Sequence, residues 1–141
     1  MGRVFEHHWG RTILRAESVL FATQALQHNP LYFNVEYARA LGHPDVVVPP
    51  PLVYLTVLGL SVEDLSEIGG PFLGAEAIRF PRPVYPDATL YAVSRVIDRR
   101  PSTSRPAYGV VTWQTLGITA PGEVVVELIR RNLVQRKGES S

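Results

Sequence analysis

The chain of 141 residues contains no cysteine, which excludes disulfides, thiolate metal centres and a cysteine nucleophile, and leaves the redox compartment open. Charge of one sign is not in excess either. Fourteen basic and 13 acidic side chains leave a formal net charge of +1, and no basic block interleaves with aromatic residues. That argues against a nucleic-acid partner held by phosphate neutralisation. Long hydrophobic runs are also missing: the longest, Val46 to Leu60, is interrupted by Pro49, Pro50 and Pro51 and is too short to span a bilayer. The first residues, MGRVFEHHWGRTILRA, lack the apolar core of a signal peptide, so a cytoplasmic protein without a membrane partner is the expectation. Lysine is nearly absent, Lys137 standing alone beside the arginines, and this decides nothing about function.

What is present fits one domain spanning residues 1–141. Apolar residues make up 45% and charged residues 19%, enough to bury a core. The first half carries helical spacing. Ser18 to Leu26 places Val19, Ala22 and Leu26 on one face, and Asn29-Pro30 stops the helix because a residue before proline is pushed out of the helical region. Asn34 is a plausible N-cap for a second short helix that ends at Gly42. Leu52 to Leu65 is apolar on nearly every side and reads as an enclosed helix, with Glu63, Asp64 and Glu67 marking its return to water and Gly69-Gly70 its end.

The period then changes to two. Ala75–Phe80, Thr89–Asp98, Tyr108–Thr119 and Glu123–Arg136 are rich in Val, Ile, Thr and Tyr and read as strands, with Arg11–Leu14 as a possible fifth. Ala120-Pro121-Gly122 makes a tight hairpin between the last two, and Lys137 to Ser141 a frayed tail. The expected class is α+β: a single antiparallel sheet wrapped around a central apolar helix.

The segments HNPLYFNVEYARALG, PVYPDATLYA, LGLSVEDLS and SRPAYGVV carry a resemblance over about residues 10–136. The chain resembles the MaoC-like branch of the hotdog superfamily, the (R)-specific enoyl-CoA hydratases and dehydratases, and is most similar to variants acting on mesaconyl-CoA-type substrates. The resemblance implies a hotdog domain with dimers as the minimal unit, formed with a second copy or with a second hotdog subunit. It also implies reversible addition of water to a 2-enoyl thioester of coenzyme A or an acyl carrier, with no further cofactor. Such chemistry needs a base to activate water, an acid to protonate the α carbon, and donors on the thioester carbonyl as enolate charge develops. In the family an aspartate and a histidine around an Asn-Pro turn hold the water, and a backbone N–H at the start of the central helix serves the carbonyl.

At the matching positions the chain departs from that pattern. Gln27 stands at the aspartate and cannot ionise. Tyr32 stands at the histidine; its ordinary pKa near 10 makes it a poor base and a usable acid. His28 could act as base if the turn were re-registered, and Asn29 could hold substrate or shape the turn. The family has a small residue close to Pro50, and proline has no N–H to donate, so the donor is lost unless it falls on Leu52. Two readings stay open: a hydratase using Tyr32, Gln27 and His28 as catalytic residues, or a catalytically deficient acyl-CoA-binding subunit that pairs with an active partner. Asn29, Pro50, Leu52, Arg99 and Arg105 are the substrate-binding candidates, the arginines, with Arg100, as phosphate ligands or as a solvated hairpin. Glu76, Arg79 and Arg82 read as rim charges near the end of the central helix. His7-His8 after Glu6 could suggest a metal cluster, but adjacent histidines rarely point at the same ion and no third ligand is evident, so no metal is expected.

Overall fold

A computed structural model describes residues 1–66 and 70–138. Glu67 and Gly69, expected to mark and end the central helix, and residues 139–141 of the tail lie outside the described residues. The remainder is one antiparallel sheet folded against one apolar helix, as the sequence implies.

Six strands form the sheet: β1 (Val4–Glu6), β2 (Arg11–Thr12), β3 (Phe72–Arg79), β4 (Thr89–Pro101), β5 (Tyr108–Thr119) and β6 (Val124–Gln135). Their order is β1-β4-β5-β6-β3, with β2 sharing the outer edge of β4. β5 matches its sequence expectation, whereas β4 runs three residues further and β3 begins three residues earlier. β1 was not legible in advance, because a three-residue strand fixed by pairing Val4 with Arg95 has too little pattern of its own. The expected fifth strand shrinks to Arg11–Thr12; Ile13 follows with its side chain in the core and its N–H on the Ala88 carbonyl at 3.0 Å.

The helices are α1 (Arg15–Gln24), α2 (Val35–Ala40), α3 (Pro50–Leu60) and α4 (Val62–Leu65). α2 starts as expected, the Asn34 side chain accepting the Tyr37 N–H at 3.1 Å. α1 begins and ends earlier than the spacing suggested. It stops at Leu26, which adopts φ 56°, while the Gln27 N–H reaches back to the Ala22 carbonyl and the Leu26 N–H to that of Thr23. This is the left-handed termination that glycine usually provides. Leu26 therefore points to solvent, and Ser18 and Ala22 form the buried face instead.

The expected helix Leu52–Leu65 is two helices, broken at Ser61. The Ser61 hydroxyl donates to the Leu58 carbonyl and accepts from Arg130, and this one residue separates the end of α3 from the start of α4. At the other end Pro50 and Pro51 belong to the first turn of α3 rather than to a preceding loop. Proline suits those positions because its φ is already helical and its missing N–H has no partner there.

α3 packs onto β4, β5 and β6 through Val53 and Val57, with Ile13, Val48, Val84, Leu90, Ala92, Val125 and Val126 completing the core. The closest approach is at Gly117 of β5, where an added Cβ would lie 2.5 Å from both Val57 and Val126 side chains. Gly117→Ala is expected to lower stability by about 1–3 kcal/mol, since two stiff, fully buried valines must move, as a shifted denaturant midpoint would show. Leu26→Gly is expected to do the opposite, raising stability by about 1 kcal/mol by relieving a left-handed residue that packs against little. Unchanged midpoints would contradict either expectation.

Candidate functional site

The turn after α1 is built by its own backbone. Pro30–Tyr32 is a single 3-10 turn whose first amide is capped by Asn29, Oδ1 accepting the Leu31 N–H at 3.0 Å. The Asn29 side-chain oxygen is thus spent on the turn, which is the turn-forming alternative. Gln27 and Tyr32 are half-buried and His28 is exposed, and none of their side chains has a hydrogen-bond partner among the described residues. The Val47 N–H donates to the Leu31 carbonyl at 3.0 Å, which moors this turn three residues ahead of Pro50. The structure therefore brings Gln27, His28, Asn29 and Tyr32 toward the start of α3, where Pro50 and Leu52 sit.

The amides of that helix start decide what it can do. The Val46 N–H donates to the Asp45 carboxylate at 2.8 Å and the Val48 N–H to the Val84 carbonyl at 2.8 Å. Pro49, Pro50 and Pro51 have none. The Leu52 and Val53 N–H groups both return to the Pro49 carbonyl, at 2.9 and 3.3 Å. From Val46 to Val53 no amide hydrogen is left for a ligand. A helix N-terminus ordinarily offers unsatisfied N–H groups and positive potential to an oxyanion; here two prolines and a tight first turn remove the donors. Leu52, the fallback position, is engaged as well. Asp45 is held for its part by Arg15 of α1, whose guanidinium contacts both carboxylate oxygens, at 2.8 and 2.5 Å, and keeps the acid below the usual carboxylate range.

A groove of about 710 Å³ runs along the face of α3 that the sheet leaves open. Leu52, Leu55, Thr56, Gly59 and Leu60 form its floor, and Trp9 and Gly10 of the β1–β2 turn and Arg11 of β2 stand on one side. Leu52 is the one predicted site residue lining it. Arg99 and Arg105 are elsewhere: Arg99 stands nine residues beyond Leu90 on β4, roughly 30 Å along the strand, and Arg105 lies in the turn after it.

The adjacent histidines diverge. His7 is buried, its Nδ1 2.5 Å from Asp64 Oδ2 and its Nε2 2.8 Å from Ser94 Oγ. His8 is exposed, stacked near Trp9, with Nδ1 3.6 Å from Glu63. Carboxylate, imidazole and hydroxyl lie in the order of a nucleophilic triad. Ser94 is nonetheless fully buried and its Oγ also contacts Thr115 Oγ1 at 2.8 Å, so no substrate reaches it. The chain fastens the β1–β2 turn to α4 and the sheet, and Trp9 Nε1 donating to Glu63 at 2.7 Å reinforces it.

The second buried polar group is Arg130 on β6, 1% exposed. It donates to Ser61, Ser66 and Asn132, at 2.5, 2.8 and 3.0 Å, and among the described residues it meets no carboxylate. Burial pushes its pKa down, and its position under the C-terminal end of α3 offsets part of that cost through the helix dipole. Glu76, Arg79 and Arg82 are not at the end of the central helix. The first two lie on β3 and pair with Arg131 and Glu127 of β6, and Arg82 pairs with Glu123.

No helix among the described residues is long and apolar enough to cross a membrane. Compared with known proteins, residues 1–140 match the family model described as mesaconyl-CoA hydratase. A mesaconyl-CoA hydratase from Haloarcula hispanica is 36% identical over 137 residues, which cover 96% of this chain and 38% of that protein. A MaoC domain protein from Chloroflexus aurantiacus superposes with a TM-score of 0.91 at 29% identity, over the whole of this chain and 40% of the other. The chain thus spans about two-fifths of the length of these two relatives. At the level of fold alone, a Mycobacterium tuberculosis protein with a double hotdog fold (TM-score 0.77, 21% identity, 99% of this chain and 43% of the other) is also similar. So is a chain of a 3R-hydroxyacyl-ACP dehydratase complex from the same organism (TM-score 0.75, 20% identity, 94% and 96%).

Proposed function

The chain belongs to the mesaconyl-CoA hydratase family, and from that premise we propose that it serves the reversible hydration of a 2-enoyl-CoA thioester as the non-catalytic hotdog unit of a pair. It binds the thioester and completes the assembly, and the second hotdog unit carries the acid and the base.

The observation that carries this reading is the amide-free stretch from Val46 to Val53. Hydration of an enoyl thioester passes through an enolate, and the carbonyl oxygen needs donors in place as charge develops. Losing one such donor costs ~10²–10³ in rate. Gln27 cannot take a proton from water, and Tyr32 offers a phenol where the family has an imidazole. Each of the three roles in the reaction is therefore left without its usual group on this chain.

Two features favour a paired assembly. The relatives' greater length leaves room for a second unit of this size. The free edge of β3 also carries exposed Phe72, Leu73 and Ile78, with exposed Phe80 just past its end, an apolar rim on a strand that pairs only with β6 among the described residues. An unpaired apolar edge is a template for strand addition.

Hydration assays with mesaconyl-CoA and crotonyl-CoA at high protein concentration, with calorimetric binding in parallel, test the proposal. The chain alone is expected to bind the thioesters without turnover. Gln27→Asp with Tyr32→His, which rebuilds the side-chain pair, is expected to leave turnover undetectable, because the prolines still withhold the carbonyl donor. Turnover by the unaltered chain that Tyr32→Phe abolishes would overturn the proposal in favour of a hydratase using rewired residues.

A further inference from the structure

Around one buried cation the hydrogen-bond donors exceed the acceptors. Arg130 lies on the inner face of β6 and is 1% exposed. Its Nε and Nη2 groups both donate to Asn132 Oδ1, Nη2 donates again to Ser66 Oγ, and Nη1 donates to Ser61 Oγ. A guanidinium has two hydrogens on each Nη, so one on Nη1 is left over. Two neighbours hold spare donors as well. Trp113 stands opposite Arg130 in the β5–β6 register and Asn132 lies two residues further along β6, so all three side chains share one face. Trp113 Nε1 and Asn132 Nδ2 are both buried, and neither has a hydrogen-bond partner among the described residues. The other buried side-chain atoms without a partner, Ser18 Oγ and Thr119 Oγ1, belong to α1 and to the far end of β5.

What is left over at Arg130 is therefore positive charge and N–H groups. A buried charge without a counter-charge is costly, and among the described residues no carboxylate reaches this one. Water is a poor remedy, since a water that accepts these N–H groups brings two hydrogens that need acceptors in turn. An anion only accepts. We propose that Arg130, Trp113 Nε1 and Asn132 Nδ2 form a binding site for a small monovalent anion of the halide class. The flanking rings leave the guanidinium loosely covered: the Phe72 and Trp113 centroids lie 5.7 and 5.9 Å from its Cζ, at the outer limit of cation–π reach. Phe72 is the wall on the solvent side, 49% exposed on the free edge of β3, whereas Ser61, Trp113 and Asn132 are buried. That enclosure selects a bare ion over a phosphate or an organic acid. The site lies at the opposite end of α3 from the prolines, roughly 16 Å away at helical rise, and does not rest on the reaction assigned above. Its effect falls on α4. Ser61 and Ser66 flank that helix, and Val62 and Glu63 between them line the α3 groove, so a bound anion steadies the far end of the groove.

Urea unfolding of the purified chain at constant ionic strength, with chloride or bromide exchanged for gluconate, tests this. Both halides are expected to stabilise the chain saturably, multiplying the folding equilibrium constant about tenfold at roughly ten times the dissociation constant. Trp113→Phe, which removes the indole N–H, is expected to weaken halide binding about tenfold. Asn132→Asp sets a carboxylate beside Arg130 and is expected to abolish the halide dependence while unfolding stays cooperative. Crystals soaked in bromide are expected to show an anomalous peak beside Trp113 Nε1. Equal midpoints in chloride, bromide and gluconate would overturn the proposal, as would a halide response that both variants retain in full. A bromide peak without saturable stabilisation would mark an adventitious ion only and overturn it as well.

Discussion

The architecture depends on keeping α3 out of water. The helix offers little polar surface, only Tyr54 and Thr56 interrupting PPLVYLTVLGL, and Val53 and Val57 are buried almost completely against the sheet. Full burial of such side chains is worth about 1.5–3 kcal/mol each. Closeness is set at Gly117, where the absent Cβ lets Val57 sit directly on β5. Arg130 then fixes the far end of the helix. Its guanidinium, buried beneath the last turn, binds the serines on either side of α4 and so ties helix ends and strand β6 into one unit.

That placement of α3 governs what its other end can do. With the helix pressed onto the sheet, the segment leading into it runs through a narrow passage, and each amide from Val46 to Val48 is taken by a neighbour. The three prolines then make the start of α3 rigid and donor-poor at once. A hydratase needs the reverse, a helix start with an open N–H. The backbone groups of this helix start are committed to the fold from Val46 to Val53.

Much of this was legible in the sequence. The change of period from 3.6 to 2 near residue 75 separates helical from strand regions, and the Asn34 cap and the 120–122 hairpin follow from local chemistry alone. Gln27, Tyr32 and Pro50 were visible as residue types. Their consequence was not, because whether Leu52 could substitute as donor depends on the tight first turn that returns its N–H to Pro49. The break at Ser61 and the inward turn of His7 were hidden for a different reason. Both are imposed by partners more than fifty residues away, Arg130 and the pair Asp64 and Ser94. Arg130 itself had a signal: it shares strand parity with Val126 and Leu128, so the apolar alternation already pointed its side chain inward.

The central claim is that this chain cannot polarise a thioester carbonyl. Isotope-edited infrared spectroscopy of a carbonyl-labelled enoyl-CoA bound to the chain alone measures that directly, since a hydrogen bond to the oxygen lowers its stretching frequency. The account predicts a frequency no lower than that of the free thioester in water. A clear downward shift on binding, retained when Tyr32 is replaced by phenylalanine, would reveal a backbone donor and contradict it.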